Sequence, residues 1–425
     1  MDREQEFAEY VSALAQTLGH ADRVGPLGDY CRGLMLSGER KSVEPMAALV
    51  APRGTSAKHQ SLHHFVAKAE WNDAALLNAV RREVLPAIGA IEAWIVDDTG
   101  YPKKGKHSVG VARQYCGQIG KQDNCQVAVS VSVANERASV PIDYRLYLPR
   151  DWAEDSQRRG KADVPAAVGF ATKPVIALEQ LQRARAQKIP AGVVLADAGY
   201  GNDADFRNGI SALGLTYAVG IQGSTTLWTQ GHEPLPPRGS WGRGRSGTHL
   251  RRNRTHQPID ARALAQALPG RAWRRVPWRE GSQGVLASRF ARVRVRAAHR
   301  NEVRSEEWLV IEWPLGETEP TKYWLSTLPE SIPFKQLVRL IKLRWRIERD
   351  YQELKQELGL GHYEGRNWRG FHHHATLSIA AYGFLMRSRL AGRAKQNTAL
   401  RCADLTLHRP PRPKNFVPRG SPRAA

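Results

Sequence analysis

Two short apolar runs, far apart in the chain, each break off at an aspartate that is followed by glycine. The first is Ala93-Trp94-Ile95-Val96, leading into Asp97-Asp98-Thr99-Gly100. The second is Val193-Val194-Leu195-Ala196, leading into Asp197-Ala198-Gly199-Tyr200-Gly201. An apolar run without polar alternation reads as a strand buried on both faces. Such strands need helices above and below, and their polar groups appear where the strand ends. The pair of runs therefore predicts an α/β core that delivers acids from separate strands to one site.

The neighbouring segments fit that plan. Val127, Val129, Val131 and Val133 alternate with Ala128, Ser130 and Ser132, which predicts a half-buried strand over 125–134. Further strands are expected at 107–115, 142–148 and 217–221, with helices over 174–186 and 204–213. Residues 4–90 read as mostly helical, because Phe7, Tyr10, Val11, Leu14 and Leu18 recur at helical spacing, as do Leu77, Val80, Val84 and Leu85. Residues 222–325 change texture: a Gly/Arg-rich segment at 238–247 and strand-like runs at 289–297 and 307–313 predict a β-rich insertion. Phe334 to Leu358 contains neither Gly nor Pro and predicts one long helix, stopped by Gly359 and Gly361. A second, mostly apolar helix is expected over 374–390.

Charge narrows the function. The 425 residues carry 63 Lys plus Arg against 41 Asp plus Glu, a net charge of +22. An excess of that size points to a polyanionic partner, most often nucleic acid. It is concentrated: residues 243–300 hold 15 arginines, opposed only by Asp260 and Glu280. Among them Arg251, Arg252 and Arg254 form a tight group, and Trp241, Trp273 and Trp278 are interspersed. Arginine suits phosphate because its fork bonds in pairs and its plane stacks on bases. We therefore expect a DNA-contacting surface with salt-dependent binding. Lys103, Lys104 and Lys106 make a second basic loop beside the first acids. Arg53, Lys58, His59, His63 and His64 are candidate phosphate contacts. Four cysteines make no disulfide framework, and no stretch approaches the ~20 apolar residues of a membrane span. The expectation is a soluble, cytoplasmic, nucleoid-associated protein.

The acids suggest a chemistry. Two strand-end aspartates and a distant Glu-bearing helix form a plan for two-metal phosphoryl transfer. Mg²⁺ takes oxygen ligands and keeps positions open for substrate, and a pair of ions activates the attacking oxygen and stabilises the leaving one. In the helix, Arg344 and Glu348 are i, i+4 and share a face; Lys355 lies two turns beyond. A solvated helix carries such pairs as well.

Asp97-Asp98-Thr99, Ala196-Asp197 and Arg344-Trp345-Arg346-Ile347-Glu348 with Lys355 resemble the DDE transposases of the IS4 superfamily. The run from Asp97 to Gly120, with Asn124-Cys125-Gln126, is similar to the IS701 family in particular. The resemblance covers roughly residues 30–390. It implies an RNase H-like catalytic core interrupted by a β-strand insertion before the Glu. The expected division is a helical, DNA-binding region at 1–90, core at 91–221, insertion at 222–328, core again at 329–392, and a basic Pro-rich tail at 393–425. The family's Tyr-x2-Arg-x3-Glu-x6-Lys signature falls on Arg344, Glu348 and Lys355, with Ile341 in place of the Tyr. The resemblance implies that Asp97 or Asp98, Asp197 and Glu348 hold Mg²⁺, or Mn²⁺ in its stead, and that Arg344 and Lys355 clamp phosphate. It implies a cut-and-paste transposase, dimeric when it pairs two inverted repeats on double-stranded DNA. The freed 3′ hydroxyl then acts through a hairpin or another second-strand cleavage before joining target DNA. The alternatives are an RNase H-like nuclease without strand transfer and a non-catalytic DNA-binding derivative. Which of Asp97 and Asp98 is the first ligand stays open: Asp-x-Thr favours Asp97 and Asp-Thr favours Asp98, and neighbours on a strand face opposite sides.

The other signals are weaker. Cys116 and Cys125 lie in an expected hairpin without a zinc set around them. His372-His373-His374 read as polar residues at a helix start, with a DNA contact in view. Asp203 and Asp205 suit a helix N-cap. Glu353 and Glu357 are expected to pair with Arg349 and Lys355. Gly199 and Gly201 are expected to let the turn leave the site.

Overall fold

The structure is a computed structural model describing residues 2–237, 249–281, 284–299 and 301–393. Arg243, Arg245, Arg300, Trp241 and the basic tail from residue 394 lie outside the described residues.

Five helices open the chain: α1 (Arg3–Ala15), α2 (Val24–Met35), α3 (Val43–Val50), α4 (Thr55–Ala67) and α5 (Asp73–Ile88). There follow β1 (Ala93–Pro102), β2 (Ala112–Cys116), β3 (Lys121–Ala134) and β4 (Ser139–Leu146). Short helices α6 (Arg150–Glu154) and α7 (Ser156–Lys161) lead to α8 (Lys173–Ala186), β5 (Val193–Ala196), α9 (Ala198–Gly201), α10 (Ala204–Ala212) and β6 (Tyr217–Ile221). Then come β7 (Thr226–Thr229), β8 (Ile259–Asp260), α11 (Ala261–Gln266), β9 (Arg274–Gly281), β10 (Gly284–Ala297), β11 (Glu306–Pro314) and β12 (Lys322–Ser326). After them come α12 (Phe334–Lys342), α13 (Trp345–Gln352) and α14 (Trp368–Ser388).

The twelve strands among the described residues share one mixed sheet, ordered β2-β3-β1-β5-β6-β12-β11-β10-β7-β8, with β4 on β3 and β9 on β10. β1, β5 and β6 are mutually parallel; the other pairings are antiparallel. The parallel centre is all-apolar, with Trp94, Ile95, Val194 and Val219 buried, because helices cover it as βα crossovers require. This is the expected α/β class, consistent with an RNase H-like mixed sheet flanked by helices. The strands after residue 222 continue the same sheet, since β12 pairs directly with β6.

The helices of the first ninety residues close over α14. Phe7 meets Phe384 edge to face at 5.1 Å, and the Tyr10 hydroxyl donates to the Ala380 carbonyl. His372, His373 and His374 are buried at this seam. His373 bonds the Val66 and Trp71 carbonyls and stacks on the Trp71 ring; His374 receives the Tyr30 hydroxyl and bonds the Gly359 carbonyl. They hold α14 to its neighbours and face no DNA, contrary to the expected contact: a residue at a helix start is exposed only if nothing packs over that turn.

The expected long helix over 334–358 is instead broken. α12 and α13 meet at Leu343 and Arg344, where Arg346 and Ile347 bond back three residues rather than four. A single π turn follows at Glu353–Glu357. Neither break has a Gly or Pro, so tertiary contacts impose them.

Several arginines of the arginine-rich segment serve packing. On β10, Arg292 and Arg294 lie 4.3 and 4.9 Å from the Trp308 ring centre, and Arg289 lies 3.9 Å from that of Trp313. Arg292 and Arg294 also donate to the Ile332 and Glu306 carbonyls. Alternation along β10 puts Arg292, Arg294 and Arg296 on one face, where Trp308 of β11 receives the first two and Glu306 faces the third, while Arg289 meets Trp313 on the other face. Arg251, Arg252 and Arg254 are exposed.

Candidate active site

β1 runs on past the first acids to Pro102, but its parallel partner stops short. The last pair of the β1–β5 ladder is Ile95 with Leu195. Asp97 lies two residues past Ile95, and Asp197 two residues past Leu195. A period of two keeps each acid on the face of its ladder residue, so the register itself sets Asp97 beside Asp197. Asp98 faces the other way. Its carboxylate takes the Lys173 ammonium at 3.1 Å and the Tyr200 hydroxyl at 3.2 Å.

Asp197 caps α9, accepting from the Gly199 backbone at 2.9 Å. The turn needs small residues: a Cβ at Gly201 would run into the Gly220 carbonyl on β6. Asp203 caps α10 in the same way, accepting from Phe206.

Glu348 arrives from α13. The hydroxyl of Tyr351, one turn on, bonds Ser130 Oγ, and Ser130 sits opposite Asp97 in the β1–β3 ladder. On the preceding helix Lys342 is buried against Glu312 of β11, at 2.8 and 2.9 Å, and against the Trp278 ring at 4.2 Å. β3 and β11 thus grip the helix pair on either side of its break.

The three acids converge on Arg344. Its Nη2 lies 3.0 Å from Asp97 Oδ1 and 3.7 Å from Asp197 Oδ2; its Nη1 lies 4.0 Å from Glu348 Oε1. The side chain of Asp97 is 15% exposed and that of Glu348 74%. Burial pushes Asp97 up to about 6, with Arg344 pulling the other way. Burial also opposes the charge on Arg344, but Asp97, Asp197 and Glu348 outweigh it and raise its pKa. An open cleft of about 920 Å³ borders Asp197, Arg344 and Glu348, and Trp278, Trp324 and Trp345 share its wall. Asp97 lies behind Arg344.

Lys355 donates to the Gly100 carbonyl at 2.9 Å and sits over the Tyr101 ring, with Gln118 within reach, so it does not turn to Glu357. Glu353 takes Arg349 and Arg389. Lys103 points inward and donates to the Tyr363 carbonyl at 2.8 Å, while Lys104 is exposed. Sequence reasoning missed Lys173, Tyr200, Tyr351 and the Glu312–Lys342 pair. Each acts through a contact with an element remote in sequence, which no local spacing signals.

Among the described residues no three His, Cys, Asp or Glu side chains stand ready as a metal-binding group. The donors around Arg344 are nonetheless oxygen-only and acidic, the chemistry that hard divalent cations take. A cation already occupies the space between them. Cys116 and Cys125 are buried, and burial, then Cys116, pushes the Cys125 thiol up to about 12. No helix among the described residues is long and apolar enough to cross a membrane.

Residues 13–285 match the model of the DDE superfamily endonuclease family, which includes Asp97 and Asp197 and ends before Glu348. The chain is 30% identical over 187 residues to a protein of Microchaete diplosiphon described as a probable transposase for insertion sequence element IS701. That alignment covers 43% of this chain and 45% of the relative, so the chain matches about half of that protein's length. The acids that the β1–β5 register sets side by side fall within a family match spanning more than half of the chain, and the chain belongs to the DDE superfamily of endonucleases.

Proposed function

We propose that this chain is an insertion-sequence transposase of the IS701 kind, cutting double-stranded DNA at terminal inverted repeats and joining the freed ends to target DNA. The observation that carries the proposal is the meeting of Asp97, Asp197 and Glu348, from three distant stretches, around one guanidinium.

In this reading Asp97, Asp197 and Glu348 hold Mg²⁺, with Mn²⁺ as substitute. Bound there, divalent ions supply Lewis-acid activation of the attacking oxygen and neutralise charge on the leaving one. Water attacks phosphorus, the bond from phosphorus to the 3′ oxygen breaks, and that oxygen takes a proton to become a hydroxyl. In strand transfer this hydroxyl attacks a target phosphodiester and displaces a second 3′ hydroxyl. In the same reading Arg344 and Lys355 hold phosphate beside the acids. Asp98, bound by Lys173 and Tyr200, anchors the far side of β1. The exposed group Arg251, Arg252 and Arg254, together with Lys104, offers sequence-independent contacts to the DNA backbone. Two ends must be processed together, which calls for a dimer, and the DNA substrate places the reaction in the cytoplasm at the nucleoid.

The test is Glu348→Gln. The variant is expected to bind end-containing DNA as the wild type does and to lose divalent-dependent end cleavage. Undiminished cleavage rejects the assignment. Cleavage by the wild type without joining of a 3′ end to target DNA would leave a nuclease instead.

A further inference from the structure

The candidate acids are held together by a group that stands in the way of their use. Arg344 reaches all three, within 3.0 to 4.0 Å. The lone pairs that face its fork are the ones an ion between the acids needs. A divalent ion in that space also meets a fixed positive charge at close range and is repelled by it. The two cations compete for the same oxygens.

Arg344 is placed to give way. It sits at the joint between α12 and α13, where the helix is already broken. Its Nε is buried and has no hydrogen-bond partner among the described residues, so no hydrogen bond ties the stem side of the guanidinium. The cleft opens beside it, lined by Arg344 itself, Arg279, Lys322 and Arg349 among others. The carboxylates along the same wall are Asp197, which Arg344 already faces, and Glu348, Glu353 and Glu357 of its own helix stretch, so the cations are what the cleft adds for a phosphate.

We propose that Arg344 is an internal counter-ion that keeps Asp97, Asp197 and Glu348 gathered in the metal-free protein and is displaced into the cleft when divalent cations bind, where its fork takes a DNA phosphate. The proposal rests on the metal reading above and adds two consequences. Cation binding is weakened by the work of displacing the guanidinium. Cation binding also frees a bidentate phosphate ligand, so cation and DNA favour each other through one side chain.

The experiment titrates Mn²⁺ alone, following the free ion by EPR, into wild type, Arg344→Gln and Arg344→Lys, and records melting in EDTA. Arg344→Gln is expected to bind Mn²⁺ roughly fivefold or more tightly than wild type. In EDTA its midpoint falls by about 2 °C or more, because the acids then repel one another. Arg344→Lys keeps a charge without the fork and falls between the two. Should the Gln variant fold only when Mn²⁺ is present, the first half of the proposal is upheld, and the Lys variant supplies the affinity. A labelled DNA duplex read by anisotropy tests the coupling: adding Ca²⁺ raises affinity in wild type and not in Arg344→Gln. Equal Mn²⁺ affinity and equal melting in wild type and Arg344→Gln overturn the proposal while leaving the metal reading intact. Absence of Mn²⁺ uptake in every variant overturns both.

Discussion

Asp97 and Asp197 stand side by side because each lies two residues beyond the same matched pair, Ile95 and Leu195, of the β1–β5 ladder. The ladder is parallel, so the two chains leave it in one direction and carry both acids to one end. Asp98, one residue further, is turned to Lys173 and Tyr200.

That register separates the two adjacent acids. Asp97→Asn should lower divalent-dependent DNA cleavage by about 10³-fold or more, as loss of a ligand does. Asp98→Asn should cost roughly tenfold or less and show itself mainly as a lower melting point. Single-turnover cleavage of an end-containing duplex, run beside thermal melting, measures both. Equal losses in the two variants would contradict the assignment.

The Glu312–Lys342 pair joins β11 to the helix that leads into Arg344. Both side chains are almost wholly buried. Glu312→Gln leaves an ammonium without its counter-charge and should destabilise the fold by roughly 3–5 kcal/mol. Replacing both residues with Met should recover most of that loss. Urea unfolding of the two variants decides it, and an equal loss in single and double variants would refute the coupling.

His374 predicts an acid limit to stability. Burial pushes its pKa from 6.5 down to about 4, with the bond to the Gly359 carbonyl opposing. The folded imidazole therefore stays neutral where the unfolded one takes a proton. Its contribution is complete above pH 6.5 and is lost as pH falls towards 4, by roughly 3 kcal/mol at most. His374→Asn, which cannot titrate, should flatten the fall in urea midpoint between neutral pH and pH 4. An unchanged slope would show that other groups set it.

The arginines divide into two kinds. Arg294→Ala removes the stack on Trp308 and the bond to the Glu306 carbonyl, so it should lower stability. Arg252→Ala and Arg254→Ala touch exposed side chains and should leave melting unchanged. Each should weaken DNA binding evenly across sequences and reduce the salt slope by about one. Binding isotherms over a salt series, with melting curves, distinguish the two kinds.

Much of this protein is written locally. The apolar runs at 93–96 and 193–196 specify buried strands and the valine alternation at 127–133 specifies β3, although β3 is buried on both faces rather than one and β1 runs on past Asp97 and Asp98 instead of ending there. Each is a short-range signal: side-chain period and the place where apolar residues stop. Whether Asp97 or Asp98 faces Asp197 is not local, because it depends on the register of β1 against a strand a hundred residues away. The break at Leu343–Arg344 is also not local. No Gly or Pro marks it, and it exists where Lys342 is drawn to Glu312 and Arg344 to Asp97. The arginines of β10 read as a bare cationic surface until the sheet brings Trp308 and Trp313 against them. Sequence alone determined which strands and acids the chain would have. Only tertiary packing decided which acids meet, where the helix bends and which cations stay free, since those outcomes turn on contacts between residues that lie far apart along the chain.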